Sequence, residues 1–231
     1  MKDSIRTYYF PSGNLFSASE FSEKLFSVVL DFFQKNGHCP ILFLCIGSDR
    51  ITGDSLGPLL GYKLEQHLQT PRLNDPPHYQ VLGTLSCPVH ALNLKQTIHS
   101  LRQSAIPYLT IAIDASVGPS ESLGCITLSN RSLTPGEGVN HTLPKVGQIS
   151  ITGIVSDENC TLPFHLQNIR LSFIMQMADC IYNGLLTFLY SYNNQLPVPA
   201  EAPDFPDRMF PDLPVSACAS GLYPDVSHNP L

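Results

Sequence analysis

An uninterrupted apolar run, ILFLCI at residues 41–46, constrains the fold more than any other feature of this sequence. A strand with one solvent-exposed face alternates apolar and polar residues. A run that is apolar at every position instead predicts a strand buried on both faces, as in a parallel sheet that helices cover on both sides. The run leads directly into a loop rich in glycine and aspartate, GSDRITGDSLGP, at residues 47–58.

Strand-like and helix-like segments alternate along the chain, which is typical of βαβ units. Apolar runs predict strands at 41–46, 79–85, 108–116, 124–130 and 150–156. Apolar residues at helical spacing predict helices at 17–33, 56–68, 90–102 and 166–190. For the first helix, Ser17 and Glu20 have the spacing of a capping box, and Gly37 is a natural stop. We therefore expect a three-layer α/β fold with a doubly wound, mostly parallel sheet and helices on both faces.

The length of 231 residues and the 43% hydrophobic content are sufficient for one sizeable core. We predict a single α/β domain over residues 17–193, preceded by an irregular segment at 1–16. Residues 194–231 hold eight of the 20 prolines and five acidic residues against Arg208. This composition cannot build a core, so we expect the segment to be disordered or loosely docked.

Charge and hydropathy exclude several classes of function. The chain has 13 basic and 19 acidic residues and no basic block, which argues against nucleic-acid binding. No apolar run approaches the roughly 20 residues of a membrane span, and the N-terminus lacks the apolar core of a signal peptide. We expect a cytoplasmic protein that does not bind membranes.

The loop at residues 47–58 does not fit phosphate binding. Five residues separate Gly47 from Gly53, where a P-loop has four, and Asp54 stands where a P-loop would carry a lysine. A carboxylate at this place repels phosphate. The GxGxxG pattern of dinucleotide-binding proteins is also missing.

The carboxylates of Asp54 and Asp114 offer a different chemistry. Asp54 follows the first core strand, and Asp114 ends the third, in IAIDAS. If these strands are neighbours, as in a 2-1-3 order, their ends lie about 5 Å apart. Two close, semi-buried carboxylates share a proton or hold a cation. The first arrangement gives an acid–base pair that activates water, and the second gives a metal site.

Simpler interpretations remain open for each residue. Asp54 precedes a helix and would serve as an N-cap, and Asp49 would bond its own loop backbone. Asp114 is harder to explain structurally, because a charge after an apolar strand is costly. His141 lies in a long loop at residues 133–148 that carries the PGEG turn. It is either a third ligand or proton relay, or an ordinary exposed histidine.

At these residues the chain resembles the YyaC family of sporulation proteins. The motifs IGSDRITGDSLGPLLGYKL, YQVLGTLSCPVHALNL, IAIDAS, LTPGEGVN, LPKVG, ITGIV and LQNIRLSFIMQMAD carry the resemblance over residues 39–181. The family is similar to the germination protease of spore formers and, in fold, to hydrogenase maturation endopeptidases. The resemblance therefore implies their doubly wound sheet.

The resemblance also implies roles for individual residues. DSLGP and IDA match motifs that hold catalytic aspartates in the germination protease, which assigns catalysis to Asp54 and Asp114. The glycine turn at residues 135–139 matches as well. We expect the loop at residues 134–140, with Gly136, Gly138 and Asn140, to line the cleft and help place the substrate. In the hydrogenase peptidases the equivalent carboxylates bind a metal together with a histidine, and His141 is nearest to that place.

We therefore expect a sporulation-associated endopeptidase that uses an aspartate pair and requires no cofactor. Its partner would be a protein or peptide substrate, with spore proteins the suggested class, in the cytoplasm of the sporulating cell or forespore. One alternative is a peptidase with one divalent metal at Asp54, Asp114 and His141. Others are a non-catalytic peptide- or metal-binding protein, and a protein in which the acids are structural.

Overall fold

The computed structural model describes residues 4–68, 79–103, 107–135, 143–160 and 165–195. Within these ranges the protein has a mixed α/β fold with one six-stranded sheet and four α-helices. The strands are β1 (Thr7–Pro11), β2 (Ile41–Cys45), β3 (Tyr79–Leu82), β4 (Leu109–Gly118), β5 (Cys125–Ser129) and β6 (Ile149–Asp157). The helices are α1 (Ser17–Asn36), α2 (Leu56–Leu68), α3 (Leu94–Gln103) and α4 (Leu171–Gln195).

The strand order is β1-β5-β6-β4-β2-β3. Strands β3, β2, β4 and β6 are parallel to one another, which confirms the predicted parallel centre. Strand β5 pairs antiparallel with β6, and β1 pairs antiparallel with β5. The first three predicted core strands are β2, β3 and β4, and they lie in the anticipated 2-1-3 order. The carboxyl ends of β2 and β4 are therefore neighbours.

Strand β2 is buried along its whole length, as its apolar sequence predicts. Its residues alternate between two hydrophobic clusters. Ile41, Phe43 and Cys45 pack in a large cluster that includes apolar residues of α1, α2 and α4. Leu44 packs in a smaller cluster with residues of α3. Helices therefore pack against the sheet from both sides.

The prediction that residues 1–16 are irregular is wrong for part of that segment. Thr7–Pro11 forms the edge strand β1, paired with β5. Its central anchor is Phe10, which is buried and meets the Phe21 ring edge-on, with 5.6 Å between ring centroids. One buried side chain in a five-residue strand gives too weak a pattern to detect in the sequence.

Helix α1 begins at Ser17 as predicted, but the predicted capping box is wrong. The Ser17 hydroxyl donates to the carbonyl oxygen of Pro11 at 2.7 Å, so it ties the helix to β1. The N-cap residue is Phe16, whose carbonyl accepts the Glu20 N–H. At the other end, Gly37 has a φ of 83° and its N–H bonds the Phe33 carbonyl, which confirms the predicted stop.

Helix α4 begins five residues later than the predicted start at residue 166. A short 3-10 turn, His165–Asn168, precedes it and packs against a second 3-10 turn, Thr52–Asp54. The packing is close, because a Cβ atom on Gly53 would lie 2.9 Å from the Leu166 carbonyl oxygen. The chain before α4 thus supports the aspartate-bearing loop.

Candidate functional site

The loop after β2 folds back on itself and brings Asp54 next to the strand end. Gly47 begins the fold-back, with a φ of 139° that favours glycine. A Cβ atom there would lie 2.1 Å from the Asp54 carbonyl oxygen, so no other residue fits without a shift. The Ser48 N–H donates to that same carbonyl at 3.0 Å. These contacts fix the position of Asp54 relative to β2.

The 3-10 turn Thr52–Asp54 holds Asp54 just before α2. The Asp54 N–H donates to the Ile51 carbonyl at 2.9 Å, and the Ser55 hydroxyl donates to the Thr52 carbonyl at 2.6 Å. The Asp54 side chain is largely buried. Burial raises the pKa of Asp54 to about 6, and the Ser48 N–H acts in the opposite direction.

Asp114 occupies the sixth position of β4 and is only 6% exposed. It accepts a 2.8 Å hydrogen bond from the Ala115 N–H. Burial raises the pKa of Asp114 well above its ordinary value, and the negative charge of Asp54 raises it further. The structure therefore brings the two carboxyls close enough to interact.

No cation offsets the charge of this pair in the part of the chain that the structure describes. Burial raises both pKa values, the Ser48 N–H lowers that of Asp54, and the Asp54 charge and the Ala115 N–H act in opposite directions on that of Asp114. On the neighbouring strand, Thr152 pairs with Asp114 and bears a neutral hydroxyl. A like-charge pair without a cation favours the state in which the two carboxyls share one proton.

Asp49 has a different environment from Asp54, although both belong to one loop. Its side chain is exposed. The turn at this point is closed by the Ser48 hydroxyl, which accepts the Arg50 N–H at 3.3 Å. Asp49 therefore lies at the rim of the site, outside the buried pair.

His90 is a site residue that the sequence analysis missed. The predicted second crossover helix was expected to start there, but α3 begins at Leu94. The segments that follow β2 and β3 stay paired, because Ile46 forms a bridge with Val89 and the Gly47 N–H donates to the Val89 carbonyl at 2.8 Å. His90 is thereby held beside the loop that carries the aspartates.

The hydrogen bonds of His90 define its tautomer. The Leu92 N–H donates to Nδ1 at 3.3 Å, so Nδ1 is an acceptor and the neutral ring carries its proton on Nε2. Burial and the nearby Arg50 lower the pKa of His90, while Asp49 raises it. His90 is therefore a neutral donor at neutral pH. The sequence CPVHALN places a histidine next to a predicted loop, and this was the one signal that could have indicated His90 as a site residue. Nothing in the sequence shows that the chain segments after β2 and β3 stay paired.

Gly136, Gly138, Asn140 and His141 lie outside the described residues, so their predicted roles stay predictions. The two sides of their loop are described. Leu133 and Val146 form an antiparallel bridge with two reciprocal 2.9 Å hydrogen bonds. Both side chains pack in the small cluster with Ala112, two residues before Asp114. The loop thus leaves and rejoins the fold beside β4.

The donors for a metal ion can be assessed only in part. Asp54 and Asp114 are hard oxygen ligands of the kind that divalent cations accept. Across the described ranges, no group of three His, Cys, Asp or Glu side chains is arranged to hold a metal ion. A third ligand would have to come from elsewhere in the chain, or from water. No described helix is long and apolar enough to cross a membrane.

These features define a mixed α/β protein with a buried carboxyl pair at the carboxyl edge of its parallel strands. Residues 15–184 match the family of proteins of unknown function called DUF1256, and the chain belongs to that family. It is similar to the uncharacterized protein YyaC of Bacillus subtilis (strain 168). The identity is 39% over 164 residues, which cover 71% of this chain and 77% of the relative. Strand β1 and the residues after 184 lie outside the family match.

Proposed function

We propose that this protein is an endopeptidase of sporulating cells, and that the Asp54–Asp114 pair hydrolyses the peptide bond. The observation that carries the proposal is the burial of two interacting carboxyls without a described cation. Such an arrangement costs stability, and strongly perturbed carboxyl pairs cluster at functional sites. The likeness of DSLGP and IDA to germination protease motifs, and the neighbouring ends of β2 and β4, support a doubly wound peptidase-like fold.

The different environments of the two acids suggest separate roles. The pKa of Asp114 is raised by complete burial and by Asp54, so Asp114 holds the shared proton. Asp54 is less buried, and with a pKa of about 6 it is the carboxylate at neutral pH. In this scheme Asp54 is the general base and Asp114 is the hydrogen-bond donor.

The reaction would proceed in two steps. Asp54 takes a proton from water as the water oxygen bonds to the carbonyl carbon, while the Asp114 proton stabilises the developing oxyanion. The tetrahedral intermediate then collapses, the carbon–nitrogen bond breaks, and Asp54 returns its proton to the leaving amine. Peptide and water are thereby converted to a carboxylic acid and an amine. If a divalent ion binds instead, the same two carboxyls would be its ligands, and the ion would supply Lewis-acid activation.

A cleavage assay tests the proposal. Purified protein is incubated with extract of sporulating cells, and new peptide termini are mapped by mass spectrometry. Asp54→Asn and Asp114→Asn should abolish the new termini, whereas Asp49→Asn, a matched change on the same loop, should leave them. Equal termini from wild type and both variants would refute the proposal. Loss of the termini after chelation, with recovery on adding a divalent metal, would identify a metal-dependent peptidase.

A further inference from the structure

A cleft of about 130 Å³ lies at the edge of the sheet opposite the carboxyl pair. Ile149, the first residue of β6, and Asn130, just past the end of β5, place it at the amino ends of the parallel strands. Its volume is close to the roughly 150 Å³ of a cavity that accepts a benzene ring. The cleft is therefore large enough for one ring-sized side chain.

The lining of the cleft is amphipathic and carries more positive than negative charge. Phe32 and Ile149 contribute apolar surface. Arg6 and Lys35 contribute two positive charges, and Asp31, whose carboxylate lies 3.9 Å from the Arg6 guanidinium, contributes one negative charge. A ligand that fits this lining has a ring or apolar group together with acidic groups.

The chain leaves the described fold next to this cleft. Helices α1 and α4 run parallel. Phe21, near the amino end of α1, lies against Gly184 in the middle of α4, and Phe33 lies against Tyr192 near the carboxyl ends of both helices. The rings of Phe33 and Tyr192 are 6.1 Å apart between centroids. The cleft is lined by Asp31, Phe32, Lys35 and Asn36 of α1, and α4 ends at Gln195, three residues after Tyr192.

The sequence that follows has the composition the cleft requires. Residues 196–207, LPVPAEAPDFPD, contain three acidic residues, Glu201, Asp204 and Asp207, and no basic residue. They also contain Phe205 and four prolines. We propose that this segment of the chain docks in the cleft, with its acids toward Arg6 and Lys35. The segment lies outside the family match at residues 15–184, as do Ser4 and Arg6 of the cleft wall. The docking would thus join two parts of the chain outside the matched region.

Trypsin cleavage after Arg208 measures this docking in the full-length protein. Arg208 is the sole lysine or arginine in residues 196–231, and it immediately follows the proposed docking segment. A protease must bind several residues on each side of the cleaved bond in extended form, so docking of residues 196–207 should slow cleavage. The rate is followed by mass spectrometry as fragment 1–208 appears under native conditions.

Lys35→Glu reverses one charge of the cleft and should raise the cleavage rate at least threefold. Lys95→Glu makes the same charge change on an exposed position of α3 and should leave the rate unchanged. Glu201→Gln/Asp204→Asn should also raise the rate, and combining it with Lys35→Glu should add nothing further. Melting temperatures identify any variant whose fold is disturbed.

Equal rates for Lys35→Glu and Lys95→Glu would overturn the inference, as would fully additive effects of the cleft and tail variants. This experiment does not depend on peptidase activity. Its outcome therefore leaves the proposed function untouched, and failure of the cleavage assay leaves this inference untouched.

Discussion

Charged residues have opposite environments at the carboxyl ends and at the amino ends of the parallel strands, which form two opposite edges of the sheet. At the carboxyl edge, Asp54 and Asp114 have the same sign and are largely or fully buried, and the charge of Asp54 raises the pKa of Asp114. At the opposite edge, Arg6 and Asp31 have opposite signs, are 3.9 Å apart, and have side chains 59% and 53% exposed. Burying like charges costs stability, whereas an exposed ion pair contributes little in either direction. A fold that keeps the costly arrangement at one edge has a reason other than stability for keeping it.

The largest expected effect comes from removing either acid of the carboxyl pair. Asp54→Asn or Asp114→Asn should lower peptidase activity about 100-fold or more, since general acid–base catalysis contributes this much. The same changes should raise the free energy of unfolding by about 2–3 kcal/mol at pH 7–8, because Asp54→Asn removes a charge that is costly to bury and Asp114→Asn removes a carboxyl that must take up a proton on folding. Steady-state kinetics and denaturant titration measure the two effects. Loss of activity accompanied by loss of stability would instead indicate structural acids.

The pH dependence of stability gives a second test of whether the buried carboxyl pair differs from the exposed ion pair. The pKa of both carboxyls is raised in the folded protein, from an ordinary value of 3.8 to about 6 for Asp54 and higher for Asp114. Between the unfolded and folded values the folded state therefore holds more protons than the unfolded state. It follows that stability should fall as pH rises from about 4 through 6 and beyond, by about 3 kcal/mol from Asp54 alone and further from Asp114.

Thermal melts of wild type and Asp54→Asn/Asp114→Asn from pH 4 to 8 measure this dependence. The wild type should lose stability relative to the double variant as pH rises, and the two curves should converge near pH 4. Parallel curves would mean that neither carboxyl titrates abnormally. Activity, where it is measured, should be highest above about pH 6, where one proton remains on the pair.

The parallel centre of the fold was predictable because its strand β2 is buried on both faces. ILFLC has no polar residue and is too short for a buried helix, so it predicts a buried strand, and the adjacent loop could be placed at a strand end from the sequence alone. The convergence of Asp54 and Asp114 followed from one added assumption, that β2 and β4 are neighbours. The pairing of β2 with β4 confirms that assumption.

The remaining features depend on contacts between distant parts of the chain. Strand β1 exists because β5 offers it a free edge and because Phe10 reaches the core, and neither fact is visible in residues 7–11. Helix α4 starts late because the preceding turn packs on Gly53, more than 100 residues earlier in the chain. His90 joins the site through the bridge between Ile46 and Val89, which no local pattern encodes.

A moderate effect is expected at His90, at the rim of the carboxyl edge. Because its neutral Nε2–H is a donor beside the aspartate loop, we expect it to contact substrate rather than the water that attacks. His90→Ala should raise KM about threefold to tenfold and change kcat less, as expected for loss of one hydrogen bond worth about 1 kcal/mol. His99→Ala, an exposed change on α3, is the matched control. Equal effects of His90→Ala and His99→Ala on KM would contradict a role of His90 in binding substrate.

The smallest effect is expected at the opposite edge, where the ion pair is exposed. Asp31→Asn should change the free energy of unfolding by less than about 0.5 kcal/mol, because solvent screens a pair 3.9 Å apart and both side chains lose rotamer freedom to form it. Urea titrations at low and high salt measure this, and salt should reduce even that small difference. The comparison with Asp114→Asn is direct, since both changes replace the carboxyl group of an aspartate by an amide. If Asp31→Asn shifted stability as much as Asp114→Asn, burial would not be what distinguishes the two edges. The burial of the carboxyl pair would then no longer support a functional role for it.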